Sequence, residues 1–101
     1  MFDDTFDFHN LGLIEPNQIR FYFEKFIEDS FTQENKHILI VTGKGITSNN
    51  PRGIVKEVVT QLLKSNHRIL KSKEADEHYG GSGAFEVWLK EEVTEDYPPD
   101  L

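Results

Sequence analysis

Asp7 and His9 are the residues of this chain best suited to acid/base chemistry. They stand two positions apart in the stretch Thr5-Phe6-Asp7-Phe8-His9, where apolar and polar residues alternate. This alternation predicts a β-strand, on which residues two apart point to the same face. Histidine can carry a proton near neutral pH, and a nearby carboxylate can orient or polarise it. For an isolated Asp-x-His pattern, an exposed pair without a catalytic role is the alternative.

A second candidate site is the segment Thr42-Gly43-Lys44-Gly45, which follows the apolar run His37–Val41. Its glycines allow backbone N–H groups to come close to an anion, and Lys44 adds positive charge. The segment lacks the P-loop pattern G-x-x-x-x-G-K-[ST], so nucleotide hydrolysis is disfavoured. We interpret the segment as a phosphate-binding loop, with a plain turn that exposes a lysine as the alternative.

The charge distribution favours an anionic ligand for the middle of the chain. The 101 residues carry a formal net charge of −7, yet residues 36–73 contain eight bases and one acid. Binding depends on the local field more than on the total charge, so this segment is suited to nucleic acid, although solvated lysines are common. Arg52 and Lys56, four positions apart on a predicted helix, share a face and are further candidates for phosphate contacts.

Composition excludes several other classes of protein. The chain has no cysteine, which rules out disulfides and thiolate metal sites and favours a reducing, cytoplasmic location. No apolar run reaches the length of a membrane span, so no membrane association is expected. His37, His67 and His78 fall in different predicted elements, so no metal site is predicted.

Hydrophobic periodicity predicts the element order β-α-β-α-β-β. The first helix starts at Pro16 and fades between Phe31 and Asn35, and the second starts after Ser48–Pro51 and ends near Ser65. We expect one domain over residues 1–90, followed by an acidic, disordered tail over residues 91–101. The remaining predicted segments are the strands His37–Val41, Arg68–Lys73 and Ala84–Leu89 and the loop Glu74–Gly83.

Three motifs, in this order, resemble those of the Smr (small MutS-related) domain family. The family has L-D-L-H-G where this chain has Phe6-Asp7-Phe8-His9-Asn10. Its H/T-G-x-G motif is matched by Thr42–Gly45, and its G-G-x-G-A motif by Gly80–Ala84. The resemblance covers roughly residues 6–90. Asn10 departs from the family's glycine, and Thr42 stands where many members have histidine.

The resemblance implies an α+β two-layer sandwich like the C-terminal domain of translation initiation factor three. Its mixed four-stranded sheet has the order 1-2-4-3, with strand 4 antiparallel. In this topology all three motifs and the start of the second helix meet at one edge of the sheet, where ligands commonly bind. The N-terminus of that helix is expected to add positive potential for a phosphate held by the Thr42–Gly45 loop.

The resemblance also implies an endonuclease that cleaves RNA or nicks DNA, in some members at stalled ribosomes. RNA cleavage needs no cofactor because the 2′-hydroxyl is the nucleophile, whereas DNA nicking calls for a divalent ion, Mg²⁺ or Mn²⁺. A non-catalytic module that binds nucleic acid or a ribosome is the main alternative, and a domain whose acidic ends bind a basic partner is a weaker one. The expected catalytic residues are Asp7 and His9, and the expected phosphate-binding residues are Thr42, Gly43, Lys44, Gly45, Arg52, Lys56, Gly80 and Gly81.

Overall fold

The structure, a computed structural model, describes residues 1–12, 14–43 and 52–91, with the backbone alone for Arg52 and Gly53. Its helices are α1 (Pro16–Thr32) and α2 (Arg52–Ser65). Its strands are β1 (Asp4–Asp7), β2 (His37–Val41), β3 (Ile69–Glu74) and β4 (Ala84–Leu89). Short 3-10 turns occupy Phe8–Leu11, Glu77–Tyr79 and Gly81–Gly83.

The four strands form one mixed sheet in the order β1-β2-β4-β3. β1 runs parallel to β2, and β4 runs antiparallel to both β2 and β3. The two helices pack on each other and on one face of this sheet. The predicted α+β two-layer fold and its strand order are therefore confirmed.

The hydrophobic core lies between the helices and the sheet, and it follows from the periodicity of each element. Apolar residues of the helices recur every three or four positions, and those of β2 and β4 alternate, so that each element turns one face inward. β2 is buried on both faces, because Leu39 lies under a second, smaller cluster on the far side. The core residues include Ile19, Phe23, Phe26, Ile27, Ile38, Ile40, Val55, Val59, Leu62, Leu63, Phe85, Val87 and Leu89.

The first strand is shorter than predicted. β1 ends at Asp7, and a 3-10 turn begins at Phe8 because the Asp7 carboxylate accepts a hydrogen bond from the backbone N–H of His9 at 2.8 Å. Phe6 and Phe8 nevertheless both pack into the core, as predicted, with ring centroids 4.8 Å apart. The prediction of strand geometry at Phe8 and His9 is wrong, whereas that of the inward-facing phenylalanines is confirmed.

Other boundaries agree with the prediction or differ by one residue. α1 starts at Pro16, and β2 and β4 have their predicted bounds. β3 starts and ends one residue later than predicted, and the predicted loop before β4 contains two 3-10 turns. The predicted cap at Ser48–Pro51 and residues 92–101 of the predicted tail lie outside the described residues. Neither α1 nor α2, as far as the structure describes them, combines the length and the apolar composition that a membrane span requires.

Candidate functional site

The carboxyl ends of β1 and β2 and the start of β4 meet at one edge of the sheet, which we call the motif edge. Asp7, the last residue of β1, is in register with Val41, the last residue of β2. Val41 is in turn in register with Ala84, the first residue of β4. The sheet therefore brings the three sequence motifs together, although they are far apart along the chain.

Asp7 and His9 lie in contact at the motif edge. The Nδ1 atom of His9 is 3.4 Å from Oδ1 of Asp7, and the two side chains are 43% and 37% exposed, respectively. The 3-10 turn produces this approach, because it folds His9 back over the carboxylate that caps it. The pair is thus held together and open to solvent, as a proton-transferring pair must be.

The Thr42-Gly43 segment is joined directly to the turn before β4. The carbonyl oxygen of Gly83 accepts hydrogen bonds from the backbone N–H groups of Thr42, at 2.9 Å, and Gly43, at 3.0 Å. The Thr42 side chain is fully buried, and its hydroxyl donates to the Gly43 carbonyl at 2.9 Å. Gly43 has a φ of 91°, which favours glycine. Thr42 therefore shapes the loop from within.

The glycines before β4 form a tight turn. Gly80 has a φ of 120°, and a Cβ atom added to it would lie 2.9 Å from the Cβ of Ala84. Gly81 has a φ of 54°, and its N–H donates to the carbonyl of Asp76 at 3.0 Å. Only glycine fits at position 80 without a shift of the surrounding backbone. This close approach sets the position from which β4 starts.

Lys56 connects α2 to the same turn. Its Nζ atom donates to the backbone carbonyl of Ser82 at 2.7 Å and to Oε2 of Glu74 at 3.3 Å, and the side chain is 23% exposed. The N-terminal part of α2 therefore faces the motif edge, as expected from the topology. Two protein oxygens already contact this ammonium group, so a phosphate would have to compete with Glu74 for it.

Three of the predicted site features lie outside the described residues: Lys44, Gly45 and the side chain of Arg52. Their predicted contacts with phosphate stay predictions, as do the roles of Asp7, His9, Thr42, Gly43, Lys56, Gly80 and Gly81.

The described residues offer few further groups for acid/base or metal chemistry. His78 stacks on Tyr79, with ring centroids 5.3 Å apart, in the 3-10 turn that precedes Gly80. Among residues 1–12, 14–43 and 52–91, no three histidine or acidic side chains are grouped so that they could hold a metal ion. His78, two positions before Gly80, is therefore the second candidate for a proton carrier at this site.

The capping role of Asp7 is the feature of the site that sequence reasoning missed. An aspartate often accepts a hydrogen bond from the backbone two residues on, and this local bond competes with strand geometry. Asp7 and His9 have that spacing. The signal was present in the sequence, but the alternation of Phe6 and Phe8 with polar residues outweighed it.

This fold and motif edge define a small α+β domain of a known class. A sequence profile of the Smr domain matches residues 7–90. The chain therefore belongs to the Smr domain family, which is associated with nucleic acids. No curated protein matches the chain at a significant level.

Two solved structures show the same fold. YdaL, a stand-alone small MutS-related protein from Escherichia coli, superposes with a TM-score of 0.76 at 24% identity, over 86% of this chain and 64% of YdaL. The chain thus matches less than two thirds of YdaL's length. The Smr domain of Thermus thermophilus MutS2 superposes with a TM-score of 0.70 at 17% identity, over 86% of this chain and 98% of that domain.

Proposed function

We propose that this Smr domain is an endonuclease that cleaves RNA or nicks DNA at the motif edge. The observation that carries the proposal is the contact between Asp7 and His9 beside the Thr42-Gly43 junction with Gly83. A solvent-exposed imidazole and a carboxylate are thereby fixed next to a glycine-rich loop suited to a phosphate. Membership in a family associated with nucleic acids supports a phosphodiester as the substrate.

On RNA, His9 would act as the general base. The Asp7 carboxylate beside Nδ1 favours a proton on that nitrogen, which leaves Nε2 of the neutral ring as the acceptor. Nε2 takes the proton of the 2′-hydroxyl, and the 2′-oxygen attacks the adjacent phosphorus. A bond forms between the 2′-oxygen and phosphorus, the bond from phosphorus to the 5′-oxygen breaks, and the departing 5′-oxygen takes a proton from water or a second acid such as His78.

The backbone of the substrate would be held by the loop that follows β2 and by the turn before β4. Gly43 and Gly45 would allow close approach of a phosphate, and Lys44, Arg52 and the N-terminus of α2 would add positive potential. Gly80 and Gly81 would approach the phosphate from the side of the turn before β4. Lys56, bound to Ser82 and Glu74, would mainly fix the position of this turn.

DNA lacks the 2′-hydroxyl, so its cleavage requires an activated water. Asp7 and His9 are two donors of the kind that bind divalent ions, but they do not form a three-ligand site with other described residues. Mg²⁺ is often held by one or two carboxylates together with substrate phosphates, and such an ion would lower the pKa of a bound water. The reaction on RNA, in contrast, uses the 2′-hydroxyl of the substrate as the nucleophile and His9 as the base, with water or His78 as the final proton donor.

A binding module without catalytic activity is the second candidate function. Thr42 stands where many Smr domains have histidine, and its hydroxyl is buried and bonded within the loop. The motif edge then retains His9 as its proton carrier, without a second histidine on the β2 loop. Such a domain would bind structured RNA, DNA or a ribosome through the same loops.

A cleavage assay separates the two functions. Labelled single-stranded RNA, structured RNA and supercoiled plasmid are incubated with the protein in EDTA, in Mg²⁺ and in Mn²⁺. We expect cut RNA in all three conditions, with 2′,3′-cyclic phosphate ends, and nicked plasmid only with a metal ion. Binding of these substrates with no cut product in any condition would refute the endonuclease and leave the binding module.

A further inference from the structure

The sheet face opposite the helices carries a row of aromatic and imidazole rings, which we call the open-face row. His37 and Trp88 stack with ring centroids 4.5 Å apart and an interplanar angle of 13°. Phe2 lies 4.7 Å from His37, and Tyr79 meets Phe2 edge-on at 5.0 Å. The row runs across the sheet from the turn before Gly80 to the far end of β4.

Two lysines from the edge strand border this row. Lys71 is in register with Trp88, and Lys73 with Glu86, so both side chains share the open face. The Nζ atom of Lys71 lies 4.8 Å from the centre of the Trp88 ring, and that of Lys73 lies 6.0 Å from it. Trp88 therefore has the His37 ring on its β2 side and the Lys71 ammonium group on its β3 side.

The acidic residue in the middle of this surface is paired. Glu86 is buried, and its Oε1 atom lies 3.0 Å from Nε2 of His37. The lysine side chains, in contrast, are exposed at the edge strand. The groups that this surface presents to solvent beside the indole are thus cationic, which suits an anionic and aromatic ligand.

We propose that the open face binds single-stranded nucleic acid, with one base stacked on Trp88 and adjacent phosphates on Lys71 and Lys73. This surface would be a second contact for the substrate class proposed above, and the inference rests on that proposed function. It also predicts a preference for single-stranded segments of the substrate, because the bases of a duplex already stack on one another and are not free to stack on a side chain.

The position of Lys71 over the indole is compatible with entry of a base. A cation–π contact at an exposed site is weaker than the stacking of a nucleic-acid base on an aromatic side chain. Lysine is long and flexible, so its ammonium can leave the ring and stay close enough to contact the phosphate of the entering nucleotide. The exchange replaces the weak lysine–indole contact with a stronger base–indole stack, and the Lys71 charge is then paired with a phosphate.

The strand β4 links this surface to the motif edge. Ala84 lies at that edge and Trp88 four residues further on, which corresponds to about 13 Å at the usual rise of a strand. A single strand held at Trp88 can therefore reach the Asp7–His9 pair with a few nucleotides. The open face would position the substrate, and the motif edge would act on it.

Trp88 is the only tryptophan of the chain, so its fluorescence reports on this surface alone. The protein is titrated with single-stranded oligo(dT) and oligo(U) of about 12 nucleotides, within the site sizes of single-strand-binding domains. We expect both to quench Trp88, and a duplex of equal length to leave its fluorescence nearly unchanged. The RNA and DNA arms show which single strand is preferred.

Variants of the lysines test the contact without altering the core. Replacement of both Lys71 and Lys73 by alanine should weaken binding of a fluorescein-labelled oligonucleotide and reduce the salt slope by about 0.7 for each lost phosphate contact. Lys64→Ala, which removes an exposed lysine from the helical layer, is the matched control. Trp88→Leu should weaken binding by about 5- to 100-fold, with circular dichroism as the check on folding.

The outcomes also separate this inference from the proposed function. One result would overturn the open-face site alone: Lys44→Ala weakens binding, while Trp88 fluorescence does not change and the Lys71/Lys73 double variant binds as tightly as the wild type. An absence of binding by anisotropy to any single strand, structured RNA or plasmid would overturn both. Quenching by an acidic peptide and by no nucleic acid would assign the surface to a protein partner and overturn the inference.

Discussion

One carboxylate oxygen of Asp7 contacts both the backbone and the ring of His9. Oδ1 accepts the backbone N–H of His9 at 2.8 Å and lies 3.4 Å from Nδ1 of its imidazole. The same atom therefore ends β1, starts the 3-10 turn and sets the position of the ring. Because Phe8, between the two residues, is fully enclosed in the core, the pair is anchored to the folded domain.

His9→Ala should abolish cleavage while leaving the fold and the affinity for nucleic acid nearly unchanged. The His9 side chain is 43% exposed, so its removal leaves no cavity in the core. Loss of a general acid/base lowers the rate by about a hundred- to ten-thousand-fold. Single-turnover cleavage of labelled RNA measures this effect, with His67→Ala, an exposed histidine of the α2–β3 connection, as the control. A variant that cuts at the wild-type rate would move the chemistry away from His9, with His78 as the next residue to change.

Asp7→Asn and Asp7→Ala should separate the electrostatic role of Asp7 from its capping role. Asparagine can still accept the His9 N–H, so the turn should persist and stability should change little. Its neutral side chain no longer favours the proton on Nδ1, so cleavage should fall sharply. Alanine loses the cap as well, and should lower the free energy of unfolding by about 1 kcal/mol more than asparagine. Urea unfolding and the cleavage rate are measured on both variants, and equal rates for Asp7→Asn and the wild type would contradict the electrostatic role.

The sequence predicted the elements that depend on local pattern, and it missed the features that depend on register. The bounds of β2 and the start of α1 were predicted correctly because a short run of strand-forming residues and a three-four spacing are local signals. The strand order came from the family resemblance, since no local pattern states which strand lies beside which. The stack of His37 on Trp88 was not foreseen, because it exists only when β2 and β4 pair in one register.

The candidate site was likewise predicted in its local motifs but not in its long-range contacts. Motif matching placed Asp7, His9 and the glycines at one edge, and the structure brings the described ones to that edge. Motif matching did not indicate that Lys56 would bind Ser82 and Glu74, because those contacts join residues far apart in the chain. Spacing on a helix shows which residues share a face, but not which partner lies opposite that face.

Lys44→Ala should weaken binding to every nucleic-acid sequence by a similar factor. A lysine that contacts a phosphate contributes counterion release, so its loss should reduce the slope of log affinity against log salt by about 0.7 on single strands and 0.9 on duplexes. Fluorescence anisotropy at several salt concentrations measures the slope. Lys64→Ala is again the control, because it removes the same charge from an exposed position on the helical layer. An unchanged slope in Lys44→Ala would show that the β2 loop does not hold a phosphate through this residue.

Gly80→Ala should destabilise the domain more than Gly81→Ala. At Gly80 the new Cβ would meet the Cβ of Ala84 at 2.9 Å with φ at 120°, whereas Gly81 has a φ of 54° and its nearest neighbour is 3.9 Å away. Strain and overpacking together should cost about 2–4 kcal/mol at Gly80, against about 1–2 kcal/mol at Gly81. Chemical unfolding measures both values. Equal losses would show that the turn relaxes freely and does not fix the start of β4.

Asp3→Asn should destabilise the domain at neutral pH and lose that effect in acid. The Asp3 carboxylate accepts the backbone N–H groups of Lys36 at 2.8 Å and His37 at 3.1 Å, which joins the N-terminal segment to the start of β2. These two hydrogen bonds hold the pKa of Asp3 below its ordinary value of 3.8, with a smaller contribution from the charge of His37.

A carboxylate whose pKa is lowered by folding stabilises the folded state above its unfolded pKa, and this contribution is lost as the pH falls through the folded pKa. The wild type should therefore melt at a higher temperature than Asp3→Asn at pH 7, and the difference should shrink steadily from about pH 4 downward. Thermal unfolding followed by circular dichroism across this range measures the difference. Asp76→Asn is the control of equal charge change, because Asp76 is exposed and its side chain makes no cap hydrogen bond to the 3-10 turn that follows it. A gap that stays constant with pH would show that the charge of Asp3 does not strengthen its bonds to β2.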